Sequence, residues 1–177
     1  MITHIRNTRV EELAEVMLIY AAARAFMQQH GNPSQWGDSY PSEAFIREEI
    51  AAGHSFVCLN ERGVIVGTFC FILGDDPTYQ QIFDGSWLND EPYGTLHRIA
   101  SSGSERGIAG ACFERSFSQC PNIRVDTHRD NRVMQQIITS QGFTYCGIIY
   151  VSDGSPRLAY QKKLTESYSA NQKPLVP

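Results

Sequence analysis

The segment with the clearest chemical potential runs from Leu96 to Phe113, where a strand is followed by a turn of small residues and the start of a helix. The unpaired backbone N–H groups of a helix N-terminus point outward, and the helix dipole adds positive potential there. Gly103, Gly107 and Gly110 would let a ligand approach that backbone closely. The segment therefore indicates a phosphate or pyrophosphate site, with tight packing of the turn as the alternative interpretation.

The common phosphate-binding and hydrolase motifs are not found in this chain. Walker A requires G-K-[ST] after its second glycine, whereas Gly107 is followed by Ile108 and Ala109. Neither the dinucleotide fingerprint G-x-G-x-x-G nor the hydrolase elbow G-x-S-x-G occurs. Because the P-loop lysine is missing, a nucleotide-binding module that uses this turn is disfavoured.

Two motifs, in order, resemble those of the GNAT superfamily of N-acetyltransferases. The turn Ser104-Glu-Arg-Gly-Ile-Ala109 resembles the family's [QR]-x-x-G-x-[GA] turn, whose amides cradle the pyrophosphate of acetyl-CoA. Asn131-x-x-Met134, leading to Gln141-Gly142-Phe143, resembles the second motif, an Asn that opens a helix ending in Gly-Phe. With its matching order of elements, the resemblance covers residues 2–164 and implies acetyl-CoA as the cofactor.

This resemblance also implies which residues contact the cofactor. In the family, a backbone N–H near the end of the strand before the turn is the oxyanion donor, and His97, Arg98 and Ile99 lie nearest to it here. Many family members have a Tyr that protonates the leaving thiolate, where this chain has Ile138. Ser104 stands where Gln or Arg is usual. The implied cofactor-binding residues are Ile99, Ala100, Ser101, Ser104, Glu105, Arg106, Gly107, Ile108, Ala109, Gly110 and Asn131.

Transfer of an acyl group from a thioester to an amine needs a base for the acceptor and a donor for the oxyanion. His97 lies on the strand before the turn, and an imidazole titrates close to neutral pH. His128 follows strand 123–127, at the end that opens toward the acceptor in this fold, and Tyr150 is a fallback acid. Structural hydrogen bonding of each His, and a water chain acting as the base, stay open as alternatives.

Large aromatic residues in loops are the candidates for acceptor recognition, because such rings are costly unless they pack or bind. The candidates are the aromatic residues Trp36, Tyr40 and Trp87, together with Gln35 in the same loop as the first two. Packing over the sheet is the alternative interpretation. Acidic residues of segment 75–92 could attract a cationic amine, although a solvated loop explains them equally well; they are Asp75, Asp76, Asp84, Asp90 and Glu91.

These residues would be positioned by a mixed α/β domain. Thr8, with Glu11, is predicted to cap the first helix, and Ser42 the second. The predicted order of elements is β-α-α-β-β-β-α-β-α-β-β over residues 1–164. These elements form a single domain whose mostly antiparallel central sheet is flanked by helices. The polar tail that follows, 165–177, is predicted to be disordered. Periodicity and turn residues predict strands at 2–7, 54–60, 64–73, 93–100, 123–127, 143–151 and 157–164, and helices at 10–29, 42–52 and 131–140 with another ending near 119.

Composition limits the partners. A net charge of −4 argues against duplex nucleic acid or an anionic membrane as the main partner. No apolar run approaches the ~20 residues of a membrane span, and the N-terminus lacks the apolar region of a signal peptide. None of the five cysteines forms a C-x-x-C pair, so neither a redox motif nor a zinc site is expected. A cytoplasmic location is predicted.

The sequence thus predicts an acetyl-CoA-dependent N-acetyltransferase that acts on the primary amine of a small molecule or peptide. The alternative is a non-catalytic acyl-CoA-binding or sensing domain of the same fold, favoured by Ile138 at the usual Tyr position. A homodimer stays open as an oligomeric state.

Overall fold

The computed structural model describes residues 1–165, in which seven strands and four helices follow one another. The order of these elements confirms the predicted order. The tail that was predicted to be disordered, 165–177, lies outside the described residues from residue 166 onward. Short 3-10 turns occur at Val10–Glu12 and Pro77–Tyr79. The strands are β1 (Ile2–Asn7), β2 (Ser55–Asn60), β3 (Ile65–Leu73), β4 (Gly94–Ser101), β5 (Asn122–Thr127), β6 (Thr144–Tyr150) and β7 (Pro156–Lys163). The helices are α1 (Leu13–Gln29), α2 (Glu43–Ala51), α3 (Ile108–Phe117) and α4 (Arg132–Ser140).

The strands form one sheet in the order β1-β2-β3-β4-β5-β7-β6. All neighbouring strands are antiparallel except β4 and β5, which are parallel. These two strands pair only at Gly94–Ile123 and Thr95–Arg124, near their beginnings. Beyond these pairs the strands separate, and the sheet opens at its centre.

The sheet is covered on both faces, which explains why its central strands are continuous apolar runs. On β2, Phe56 and Cys58 pack in the cluster with α3 and α4, whereas Val57 and Leu59 pack in the cluster with α1 and α2. In a smaller cluster, Tyr79 of the segment 75–92 packs with Ile149 and Ala159 of the sheet. The alternation along one strand therefore divides the core into two layers.

Residues 75–92, which we call the covering segment, reach the edge strand of the sheet, β6. Phe83 exchanges two backbone hydrogen bonds of 2.8 Å with Ile148 of the outermost strand β6. The indole N–H of Trp87 donates to the Tyr79 carbonyl at 3.0 Å, which closes the segment on itself. The segment is therefore an ordered part of the fold.

The prediction for the beginning of the first helix is wrong. Residues Val10–Glu12 form a 3-10 turn, and α1 follows it. The Thr8 hydroxyl does not cap this helix, because it is hydrogen-bonded to the Ser55 hydroxyl at 2.8 Å. Instead, the backbone N–H of Arg9 donates to the Glu12 carboxylate at 2.8 Å.

The prediction for the second helix is confirmed. The Ser42 hydroxyl accepts a hydrogen bond of 3.2 Å from the Phe45 N–H, which satisfies one of the free amides of the first turn. Within residues 1–165, no helix has the length and apolar character needed to cross a membrane.

Candidate active site

A cleft of about 1410 Å³ opens where β4 and β5 separate. One end is formed by the turn at 101–107 and the beginning of α3. The other end is formed by α1, the loop that follows it, and residues 151–157. The cleft therefore connects a surface made of backbone amides to one made of side chains.

At the first end, backbone N–H groups of α3 are available to an anion. Gly107 precedes the helix in the left-handed conformation, at φ 81°, and supplies no side-chain cap. The N–H groups of Ile108, Ala109 and Gly110 belong to the first turn and have no acceptor within the helix. A Cβ atom built on Gly107 meets no atom within 4 Å, so the space in front of this turn is open. Such an arrangement can bind phosphate oxygens.

Strand β4 carries a bulge where it lines the cleft. Cys70 pairs with His97 and Thr68 with Ala100, so that two residues of β4 oppose one residue of β3. Between these two pairs, Arg98 of β4 adopts the left-handed region, at φ 56°, which few residues other than glycine adopt. A bulge leaves one residue unpaired in the ladder. Arg98 and Ile99 thus have no partner residue in the register of β3 and β4, and their backbone N–H groups are candidate donors in the cleft.

The side chain of Arg98 connects the bulge to the loop before α2. Its Nε donates to the Tyr40 hydroxyl at 2.7 Å, and its guanidinium donates to the Glu49 carboxylate at 3.2 Å. The guanidinium also lies over the Phe45 ring, 4.4 Å from its centre. These contacts hold Tyr40 at the rim of the cleft.

His97 lies between two carboxylates. Its Nε2 is 2.9 Å from Asp76 Oδ2, and its Nδ1 is 4.0 Å from Asp126 Oδ1. The Tyr79 hydroxyl donates to the same Asp126 oxygen, and Arg157 Nε lies 3.9 Å from the other. All these side chains except that of Tyr79 line the cleft, where an imidazole can exchange a proton with a bound ligand.

The environment of this cluster fixes its charges. Burial by itself would raise the pKa of Asp76, but hydrogen bonds from His97 and Thr78 outweigh it and lower that pKa to about 2. Burial, and then the negative charge of Asp126, raise the pKa of the Tyr79 hydroxyl well above its usual value. Asp76 is thus a carboxylate at neutral pH, and Tyr79 is a protonated donor.

Most of the residues that the sequence predicted for the site line this one cleft. His97 is at its centre, and Gln35, Trp36 and Tyr40 line its side-chain end. Ser104 and Arg106 are exposed and do not line it, and the Ser104 hydroxyl is bonded to that of Ser102 at 2.7 Å. The predicted cofactor residues that line the cleft are Ile99, Ala100, Ser101, Glu105, Gly107, Ile108, Ala109, Gly110 and Asn131.

The structure does not bring the other two predicted catalytic residues into the cleft. The Nδ1 of His128 accepts a hydrogen bond from the Asp130 N–H at 3.2 Å, and burial, followed by the charge of Arg157, lowers its pKa. Tyr150 is half exposed and packs edge-on against Phe83. Neither residue is among those that line the cleft with His97.

Trp87 and most of the acidic residues of the covering segment also lie elsewhere. Trp87 lines a second cavity of about 420 Å³, together with Asp75, Asp90 and Glu91. The guanidinium of Arg124 lies 4.1 Å from the centre of the Trp87 ring. Among the acidic residues named from the sequence, Asp76 lines the cleft.

Asn131 has contacts with α4 and with the loop after α1. Its Oδ1 accepts from the Met134 N–H at 3.0 Å and so caps α4, and its Nδ2 donates to Gln35 Oε1 at 2.9 Å. The second bond connects the first turn of α4 to the loop after α1. Ile138, at the position of the family's Tyr, is fully buried in the core.

Sequence reasoning missed Asp126 and Arg157, and it named Asp76 only among the acidic residues that could attract a cationic amine. Side chains alternate along β5, so the presence of Val125 in the core predicts Asp126 on the opposite face of the sheet, although not its place beside His97. Asp76 precedes Pro77 and Thr78, a sequence typical of a capped 3-10 turn. No local signal identifies Arg157.

Comparisons with known proteins give a consistent result at the level of structure. No family model and no curated protein matches the chain. A GNAT-family acetyltransferase from Streptococcus agalactiae 2603 shares 34% identity, covering 92% of this chain and 96% of its own, with a TM-score of 0.83. One from Listeria monocytogenes 4b F2365 shares 18% identity over 91% of this chain and 94% of its own, with a TM-score of 0.68.

A third structure, similar in fold alone, is a GNAT phosphinothricin acetyltransferase from Sinorhizobium meliloti in complex with acetyl-CoA. It shares 17% identity over 94% of this chain and 90% of its own, with a TM-score of 0.63. The Streptococcus agalactiae protein is similar enough, over nearly the whole of both chains, to show more than the fold. This protein therefore belongs to the GNAT family of acetyltransferases.

Proposed function

We propose that this protein transfers the acetyl group of acetyl-CoA to the primary amine of a small molecule or peptide, with His97 as the base. The observation that carries the proposal is the position of His97, which lies in the same cleft as the free amides of α3 and is held between Asp76 and Asp126. The base and the anion site are thus parts of one continuous surface.

Acetyl-CoA fits the amide end of the cleft. The phosphate oxygens would be held by the N–H groups of Ile108, Ala109 and Gly110, beside the open space at Gly107. The Sinorhizobium meliloti acetyltransferase, of the same fold, is described in complex with acetyl-CoA. When bound, this cofactor supplies an acetyl group activated as a thioester.

The protein's own groups provide for proton removal and for charge stabilisation. His97 takes the proton of the attacking amine, whose nitrogen forms the new bond to the acetyl carbon as the carbon–sulfur bond breaks. A backbone N–H at the bulge, of Arg98 or Ile99, is the donor for the negative oxygen that develops. Tyr150 does not line the cleft and packs against Phe83, so His97 or water would supply the proton for the leaving thiolate.

The acceptor occupies the end of the cleft formed by Gln35, Trp36 and Tyr40. The Trp36 and Tyr40 rings lie 6.3 Å apart and present apolar faces to the cleft. Asp126, whose carboxylate faces His97 Nδ1, attracts an ammonium group toward the base. These contacts support an amine with an apolar body.

A second candidate function is an acyl-CoA-binding or sensing domain. One observation favours it: the position of the family's acid is occupied by Ile138, which is buried in the core and cannot donate a proton. Such a domain would bind coenzyme A through the same amides and would not turn it over.

A panel of primary amines with acetyl-CoA tests the two functions. Thiol release is followed by absorbance, and the acetylated product by a mass increase, for diamines, amino acids and peptide N-termini. We expect amine-dependent thiol release with at least one class. Tight binding of coenzyme A, measured by calorimetry, without thiol release for any amine would support the sensing domain instead.

A further inference from the structure

The two nitrogens of the His97 ring have different surroundings. Nε2 is hydrogen-bonded to Asp76 Oδ2 at 2.9 Å. Nδ1 lies 4.0 Å from Asp126 Oδ1, which is beyond hydrogen-bond distance. That Asp126 oxygen already accepts the Tyr79 hydroxyl. Of the two nitrogens, Nδ1 is therefore the one left to a bound molecule.

Asp76 is itself held in place by hydrogen bonds with Thr78 and Tyr93. Its Oδ1 accepts from the Thr78 N–H at 2.9 Å and from the Thr78 hydroxyl at 2.7 Å. Its own N–H donates to the Tyr93 hydroxyl at 3.1 Å. These bonds direct the other oxygen, Oδ2, at His97. A carboxylate can only accept at this oxygen, so the proton shared with His97 belongs to Nε2.

We propose that Asp76 is a positioning residue that holds His97 in the Nε2–H tautomer, so that Nδ1 is the nitrogen that takes the proton of the acceptor amine. The proposal rests on the proposed function of His97 as the base. Once Nδ1 is protonated, the ring is a cation between two carboxylates, Asp76 and Asp126. Asp76 thus orients the base before the reaction and stabilises its charge during it.

The alternative is that Asp76 only caps the 3-10 turn at Pro77–Tyr79. The substitution Asp76→Asn separates the two roles, because Asn caps as well as Asp. Both Thr78 donors need an acceptor, so the carboxamide oxygen stays with them and the NH₂ group faces Nε2. That group can only donate, and it forces the proton of His97 onto Nδ1. The lone pair of Nε2 then points at the new carboxamide, and no lone pair is left to face the acceptor.

The experiment reads the tautomer directly. Imidazole ¹⁵N signals are recorded on the full chain at pH about 8.5, above the usual pKa range of His, and the His97 signals are identified by their loss in His97→Gln. We expect an Nε2–H pattern in the wild type and an Nδ1–H pattern in Asp76→Asn. The same variant should lose kcat by ~10²–10⁴-fold, the range typical of losing general-base catalysis, with little change in the KM for acetyl-CoA.

Asp75→Asn is the matched control, since it makes the same charge change one residue away at an exposed position outside the cleft. It should leave the tautomer and kcat unchanged. An Nε2–H pattern retained in Asp76→Asn, with His97→Gln inactive, would overturn the positioning role alone. If Asp76→Asn reverses the tautomer but kcat is unchanged in both Asp76→Asn and His97→Gln, His97 is not the base. That result would overturn the proposed function of His97 and, with it, the role of Nδ1.

Discussion

The two ends of the cleft are built in different ways. The end that we assign to acetyl-CoA is a run of backbone amides that are contiguous in sequence, around Gly107 and the first turn of α3. The end that we assign to the acceptor is a set of side chains from separate parts of the chain, with His97 and Asp126 brought together by β4 and β5. A backbone site depends on local conformation, whereas a side-chain site depends on the whole fold. Substitutions at the cofactor end should therefore change the affinity for acetyl-CoA, whereas substitutions at the acceptor end should change kcat or the KM for the amine.

The largest effect is expected at His97. His97→Gln keeps a hydrogen-bonding side chain but cannot titrate, so kcat should fall by ~10²–10⁴-fold while the affinity for acetyl-CoA changes little. His128→Gln is the control, since His128 lies outside the cleft, and should retain most of the activity. A loss of kcat in His128→Gln that equals that in His97→Gln would remove the distinction between the two histidines.

Gly107→Val should act on the cofactor end alone. Its Cβ would enter the open space in front of the amides, and its left-handed backbone would be strained. We expect the Kd for coenzyme A, measured by calorimetry, to rise on the order of 10²-fold, or ~2.7 kcal/mol. Gly63→Val is the matched control, because Gly63 has a similar φ of 72° and equally open surroundings in the turn between β2 and β3. Equal affinities in the two variants would exclude the phosphate cradle.

Trp36 should contribute to acceptor binding, whereas Trp87 should contribute to the stability of the fold. Trp36→Leu removes a ring from the acceptor end, and we expect the KM for the amine to rise about tenfold, ~1.4 kcal/mol. Trp87→Leu removes a hydrogen bond to Tyr79 and a ring beneath Arg124, and it should lower stability by ~2 kcal/mol in urea unfolding without changing that KM. A raised KM in Trp87→Leu would bring the covering segment into acceptor binding.

Asn131 joins the two ends and should show the smallest effect. Asn131→Asp keeps the cap of α4, places a negative charge near an anionic cofactor, and loses the donor to Gln35. We expect a several-fold rise in the KM for acetyl-CoA with the Tm nearly unchanged. Asn131→Ala should instead lower stability by ~1 kcal/mol through loss of the cap, or a Tm decrease of about 2–4 °C. A KM that stays constant in Asn131→Asp would leave only the capping role.

The same contrast explains how much could be predicted from the sequence. The order of elements, the cap at Ser42 and the turn around Gly107 depend on neighbouring residues, and each was predicted from them. The cap at Thr8 was wrong because a residue 47 positions away, Ser55, binds its hydroxyl. Asp76 and Asp126 could not be placed beside His97 for the same reason, since strand pairing and the covering segment bring them there.

The covering segment has a consequence for the solubility of the protein. A β-strand at the border of a sheet presents unpaired backbone groups that can recruit another chain and lead to aggregation. Phe83 occupies such groups on β6 through its two bonds to Ile148, only seven residues from Asp76. The same short stretch of chain shields this border and carries Asp76, the partner of the base that we propose. A shortened segment should therefore yield a protein with low catalytic activity and a tendency to self-associate.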